Sequence, residues 1–280
     1  MSECTHDCST CSENCSSREG GQPQSLKAEL NQHSSVKKVI GVVSGKGGVG
    51  KSFITSFMSV LMARKGYKVG ILDADITGPS IPQAFGIHQQ AFGSEMGIDP
   101  AQTRSGIKLI SVNMMLKSED TPVIWRGSLI SGIVKQFWTD VFWDEVDYMF
   151  VDMPPGTGDV PLTVFQSLPV DGLIVVTSPQ ELVSVIVSKA VNMANAMNIP
   201  ILGFVENYSY VQCPNCSERI YVYGQSHCAE IADKFGLRLL AQLPIDPKVA
   251  AAVDAGRIED LDIDGLNAAA DIIETELSVK

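Results

Sequence analysis

Gly45-Lys46-Gly47-Gly48-Val49-Gly50-Lys51-Ser52 follows the apolar run Val39–Val43 and precedes a helix-compatible run, Phe53–Arg64. The pattern G-x-x-x-x-G-K-[ST] between a strand and a helix is a phosphate-binding P-loop. Glycines let the backbone curl so that its N–H groups face phosphate oxygens beside the positive end of a helix. Lys51 would reach the β- and γ-phosphates, and Ser52 would ligand Mg²⁺. The plain alternative is a glycine-rich turn without a ligand. Glycines, a lysine and a serine in register speak against it. A second lysine, Lys46, stands directly after the first glycine.

Working outward, short apolar runs alternate with longer helix-compatible ones. Strands are predicted at 39–43, 68–72, 108–112, 148–152, 173–177, 201–206 and 238–243. Helices are predicted near 51–65, 127–139, 160–168, 180–197, 227–236, 247–255 and 265–278. Apolar strands separated by helices indicate a parallel sheet covered on both faces. The expected fold is therefore one doubly wound α/β domain, a mostly parallel P-loop NTPase sheet spanning 36–280, with no internal repeat. Residues 1–35 are polar and aperiodic and read as a flexible Cys-rich tail. Ligands of such sheets bind beyond the carboxyl ends of the strands.

The chain has 280 residues, is 45% hydrophobic and carries a formal net charge of −11. An acidic balance argues against nucleic acid as a partner, because polyanion binding needs a basic surface. No apolar run is long enough to span a membrane, and the first 20 residues resemble neither a signal nor a transit peptide. A cytoplasmic protein is expected. The seven cysteines, at 4, 8, 11, 15, 213, 216 and 228, are clustered and odd in number. That suits metal or iron–sulfur ligation in a reducing compartment better than a disulfide framework.

Two carboxylate motifs fall at predicted strand ends. Asp73 and Asp75 leave the second strand together, as candidates for water activation or contacts around Mg²⁺; a helix cap or Asx turn is the simpler reading of either alone. Asp152 closes the apolar run Met149–Val151, a Walker B pattern in which the carboxylate holds Mg²⁺. The following Gly156-Thr157-Gly158 could swing with γ-phosphate occupancy. Farther on, Asn207 ends a strand and could pair with an adenine edge through its amide, or serve as an ordinary turn residue.

With Lys46, the loop resembles the deviant Walker A of the MinD, ArsA and nitrogenase-iron-protein class. The sets Asp73–Ser80 (DADITGPS), Asp152–Asp159 (DMPPGTGD), Val205–Tyr208 (VENY) and Cys213-Pro214-Asn215-Cys216 narrow the resemblance to the Mrp/ApbC-type iron–sulfur cluster carrier ATPases, over roughly residues 36–260. The resemblance implies a homodimer in which Lys46 of each subunit reaches the other's nucleotide. It also implies Asp75 near the attacking water, Asp152 at Mg²⁺, and Asn207 with the Pro244–Asp246 turn around adenine. Cofactors would be ATP, Mg²⁺ and a [4Fe–4S] cluster; partners would be apo iron–sulfur proteins and cluster scaffold proteins.

Cys213 and Cys216 are spaced to ligate one metal centre but supply only two of four ligands. By resemblance, two subunits contribute one pair each and bridge the cluster. A closed Cys₃His zinc site with His227 and Cys228 is the rival, and Cys228 alone reads as a buried helix residue. Cys4, Cys8, Cys11 and Cys15 could wrap a cluster or a zinc ion, or bind metal only opportunistically. Relatives of the eukaryotic cytosolic type carry four such cysteines at longer gaps.

The leading expectation is an ATP-hydrolysing switch that accepts and delivers a cluster. A MinD- or ParA-like organiser is the alternative, yet residues 259–280 hold seven acidic groups against Lys280 alone, whereas a membrane-seeking helix carries basic residues on its polar face. An ATP-driven electron donor with a shared cluster is the third reading.

Overall fold

In the computed structural model the described residues are 27–75, 80–115, 127–156, 158–179 and 183–279. Its elements in chain order are β1 (Ser35–Ser44), α1 (Lys51–Arg64), β2 (Val69–Asp73), α2 (Ser80–Ala84), β3 (Phe92–Ser94), β4 (Gly97–Asp99), β5 (Ala101–Gln102), β6 (Lys108–Ser111), α3 (Gly127–Thr139), β7 (Glu145–Asp152), α4 (Asp159–Ser167), β8 (Gly172–Thr177), α5 (Val183–Ala196), β9 (Ile201–Gln212), β10 (Arg219–Ile220), α6 (Cys228–Lys234), β11 (Leu239–Pro244), α7 (Pro247–Asp254) and α8 (Asn267–Glu276).

Seven strands run parallel in the order β11-β9-β8-β1-β7-β2-β6. β5 adds antiparallel to β6, and β10 adds antiparallel to the far end of β9. β3 and β4 form a separate hairpin. β1 sits centrally, between β7 and β8, so the loop that follows it opens between strands leading to different layers, where such sheets bind ligands.

Strand alternation sorts the apolar residues into two layers. Ile40 and Val42 of β1 face α1 and α8 with Phe57, Met58, Met62 and Ile273. Val39 and Val43 face the other way, toward Phe137, Val164, Val187 and Ala190 of α3, α4 and α5. On α1 the apolar positions 54, 57, 58, 61 and 62 recur at helical spacing and are all buried, which makes one face of the helix continuous with the sheet. Each such fully buried side chain contributes about 1.5–3 kcal/mol.

All seven predicted strands and all seven predicted helices are present. Sequence periodicity passed over α2, β5, the β3–β4 hairpin and β10, each five residues or fewer, too short to show a period. It also ended β9 at Glu206, whereas the strand continues to Gln212. Residues 27–34, within the stretch read as tail, lie against the domain. Ala28 donates its N–H to Ser167 O at 2.8 Å and accepts from Trp138 Nε1 at 3.2 Å.

Candidate functional site: a phosphate loop, a neighbouring cavity and a cysteine hairpin

Parallel pairing lines up the carboxyl ends of three neighbouring strands. Asp73 of β2 stands opposite Ser111 of β6 on one side and Asp152 of β7 on the other. The loop after β1 passes beside them. Ser44 Oγ donates to Lys46 O at 3.1 Å, while the Lys46 side chain is exposed. Gly50 caps α1 in the left-handed region, at φ 83°. A Cβ there would stand 2.2 Å from Asn207 Nδ2, so only glycine meets both the backbone angle and the contact.

Lys51 opens α1 and turns back into the site. Its Nζ lies 2.7 Å from Asp152 Oδ2 and 3.2 Å from Asp75 Oδ2. Burial works against this ammonium, but Asp152 and Asp75 outweigh it and raise its pKa above the ordinary lysine value. Ser52 Oγ donates to the same Asp152 oxygen at 2.6 Å. Thr55 Oγ1, one turn along, reaches Asp152 Oδ1 at 2.6 Å and Lys51 O at 3.0 Å. Asp73 is fully buried; its Oδ2 accepts from Ser111 Oγ at 2.8 Å and its Oδ1 from Asp75 N–H at 3.0 Å. Burial, reinforced by the Asp152 charge, pushes its carboxyl well above the usual carboxylate range.

Hard oxygen ligands from Ser52 and Asp152, side by side at the foot of the phosphate loop, fit Mg²⁺ by donor type. The segment after β7 is fastened to β1: Met153 N–H donates to Val42 O at 3.1 Å and Gly156 N–H to Ser44 O at 2.8 Å. Thr157 and residues 76–79 lie outside the described residues.

Beside the loop is a cavity of about 540 Å³ lined by Phe53, Asn207, Tyr208, Pro244, Ile245 and Asp246, among others. Its volume is in the range of small-molecule pockets, and it contains the three residues expected around adenine. Asn207 Nδ2 donates to Val49 O at 3.1 Å, which joins cavity to phosphate loop. Asp246 accepts from Lys248 N at 2.8 Å and so caps α7, with Pro247 at its first position. Ile245 N–H donates to Tyr210 O at 2.7 Å, fixing the cavity wall to β9.

β9 then leads directly to the cysteines. Cys213 N–H donates to Glu218 O and Ser217 N–H to Cys213 O, both at 2.9 Å. Ser217 adopts φ 61°, and the chain returns as β10. Backbone N–H groups of Asn215 and Cys216 hydrogen-bond the Cys213 sulfur and lower its pKa, which favours the thiolate that metals need. Cys213 is half-buried and Cys216 exposed. Arg219 lies over the Tyr210 ring, 4.4 Å from its centroid, and pins the two arms of the hairpin.

Among the described residues no group of three or more His, Cys, Asp or Glu is placed to hold a metal ion. The components of the single-chain zinc alternative point elsewhere. Cys228 is buried in α6, its thiol pushed up to about 12 by burial and then by the Glu206 charge, and His227 Nδ1 lies 3.2 Å from Glu230. Cys4, Cys8, Cys11 and Cys15 lie outside the described residues.

Sequence reading gave no role to Thr55 or Ser111, nor to Glu206 and Tyr208, which it quoted only as parts of the Val205–Tyr208 motif. Thr55 had a usable signal, because it follows Lys51 and Ser52 at helical i+4 and i+3 spacing on one face. Ser111 depends on strand register and has none.

Residues 35–275 match the family described as ParA: NUBPL iron-transfer P-loop NTPase. An iron–sulfur cluster carrier protein of Clostridium perfringens is 43% identical, over 90% of this chain and 93% of that protein. Its namesake in Methanocaldococcus jannaschii is 42% identical, over 91% and 90%. Among solved structures, a nucleotide-binding protein of Archaeoglobus fulgidus in complex with ADP superposes at a TM-score of 0.74 with 42% identity, covering 82% of this chain and 90% of that one. The cell division ATPase MinD of Pyrococcus furiosus shares the fold at a TM-score of 0.61 and 21% identity, over 86% and 99%. By its loop, its Walker B carboxylate and the extent of these matches, the chain belongs to the iron-transfer family of P-loop NTPases.

Proposed function

We propose that the chain binds and hydrolyses ATP as a homodimer and carries a [4Fe–4S] cluster, bridged by Cys213 and Cys216 of two copies, to apo-proteins during cytoplasmic iron–sulfur assembly. The carrying observation is the cysteine hairpin. It presents two thiols with N–H groups aimed at one of them, directly after the strand that lines the nucleotide cavity, and it has no third ligand among the described residues. A four-ligand centre is then completed by a second copy. The named function of the cluster-carrier relatives supports the same reading.

In this scheme Lys51 neutralises the β- and γ-phosphate oxygens, backbone N–H groups of Gly47–Ser52 cradle them, and the Asn207–Asp246 cavity takes the adenine. Ser52 and Asp152 would hold Mg²⁺, which supplies charge neutralisation at the phosphates. Asp75, within reach of Lys51, orients the attacking water. Exposed Lys46 reaches the nucleotide of the partner copy. ATP acts as a switch: closure around the γ-phosphate changes the interface at which the cysteine pairs meet, so occupancy matters more than turnover. A MinD- or ParA-like organiser is less well supported. The likeness to MinD is one of fold, and the acidic end of the chain is partly spent in intrachain ion pairs, with Lys65 on Asp271 and Glu274.

The test is anaerobic reconstitution of the full chain, with Cys4, Cys8, Cys11 and Cys15 changed to Ser, followed by iron, sulfide and zinc analysis. Iron and sulfide in equal amounts, shared by a dimer and lost in Cys213→Ser or Cys216→Ser but kept in Cys228→Ser, is the expected result. Zinc without sulfide refutes it.

A further inference from the structure

One buried carboxylate is used by neither the nucleotide site nor the cysteines. Glu206 is 1% exposed and sits on β9 immediately before Asn207. Its Oε1 accepts from Ser226 Oγ at 2.6 Å, and its Oε2 from Gln242 Nε2 at 2.8 Å and from the Ser209 hydroxyl. Gln242 belongs to β11, one residue ahead of the Leu243–Asp246 wall of the cavity. Ser226 ends the segment that carries the cysteines, and its Oγ also accepts from Cys228 N at 3.1 Å, at the start of α6. Residues 214–225 are exposed throughout; β10 returns the first part of this segment onto β9, and Ser226 fastens its far end to Glu206.

We infer that Glu206 is the positioning residue through which the nucleotide cavity and the Cys213–Cys216 hairpin sense each other, by holding Gln242 and Ser226 on its two oxygens. This rests on the nucleotide-switch reading proposed above. An ionised carboxylate accepts on both oxygens, and its charge-assisted bonds are the stronger kind. A shift of the cavity wall therefore pulls on the rear anchor of the hairpin through one rigid group. A glutamine presents an amide donor to one of the two sides and breaks the link there while keeping shape.

The test compares the full-length wild type with E206Q and S226A. Alkylation of Cys213 and Cys216 is mapped by mass spectrometry, with and without a slowly hydrolysed ATP analogue and Mg²⁺. In the wild type the analogue should change the labelling rate by at least about fivefold, the lower end of ordinary coupling. In both variants the ratio should fall below about twofold while the analogue's Kd stays within about threefold of wild type. If the wild type responds and the folded variants respond equally, the assignment is wrong and the switch stands. A variant that loses nucleotide affinity tenfold or more also overturns it, because Glu206 then serves the cavity alone. A wild type with no response overturns the switch reading itself and the assignment with it. S226A removes a single half-buried hydroxyl, and it decides the matter if E206Q does not fold.

Discussion

Thr55 Oγ1 lies 2.6 Å from Asp152 Oδ1, on the side of the carboxylate opposite the oxygen shared by Lys51 and Ser52. The Asp152 carboxylate is thus clamped on both oxygens by three side chains, Lys51, Ser52 and Thr55, from the start of α1. Thr55→Val keeps the shape and removes the donor. It should cost about 2 kcal/mol, the usual loss for a hydrogen bond to a charged group, and weaken Mg²⁺-dependent nucleotide binding. Thr55→Ser should restore both. Urea denaturation and nucleotide titration of the two variants check this.

Gly50 and Gly66 separate backbone strain from contact. Both have left-handed angles, φ 83° and 90°, yet a Cβ at Gly66 meets nothing within 4 Å, whereas one at Gly50 meets Asn207. Gly66→Ala should cost about 1–2 kcal/mol, the conformational penalty alone, and leave nucleotide affinity intact. Gly50→Ala should cost more and abolish binding, since it drives Asn207 off Val49 O.

The Asp73 carboxyl has its folded pKa raised well above the ordinary value. A group raised in this way binds more protons in the folded state, so its contribution is fully present below the unfolded pKa of about 3.9 and is lost as pH rises through the folded pKa. Asp73→Asn carries no charge at any pH. It should therefore be more stable than wild type at pH 8, with the advantage shrinking as pH falls toward 4, in urea titrations across that range.

The two loop lysines should fail differently. Lys46 is exposed, so Lys46→Ala should change stability by less than about 0.5 kcal/mol while, on the homodimer proposed above, abolishing ATP hydrolysis. Lys51→Ala leaves Asp152 and Asp75 without their buried cation, which should destabilise the fold by about 3–5 kcal/mol at neutral pH and remove nucleotide binding as well. Parallel denaturation, binding and hydrolysis measurements distinguish the two.

The legible part of this molecule was local. A P-loop is contiguous, helices and buried strands announce themselves by period, and Asp152 and Cys213–Cys216 stand in short motifs. What could not be read was lateral. Asp73 stands beside Asp152 only because β2 and β7 pair in that register, and Glu206 meets Gln242 only because β11 pairs with β9. Nor does periodicity explain why β9 outlasts its neighbours. Of the residues that extend it, Asn207 and Tyr208 line the cavity, Tyr210 pairs with Pro244, and Val211 and Gln212 pair with the two-residue return strand.

That overlong strand makes the molecule one-sided. Cys213 follows directly on Gln212, the last residue of β9, six residues beyond Asn207 and so roughly 20 Å away at most, and both lie beyond the point where β9 stops pairing with β8. The opposite edge, where Lys37 pairs with Asp147 and Lys68 with Glu145, carries none of these groups among the described residues. Anything fixed there, whether a tag, a fluorophore or a solid support, leaves the working edge facing outward. On the function proposed above, a cluster donor, a recipient and a second copy would compete for that one edge among the described residues.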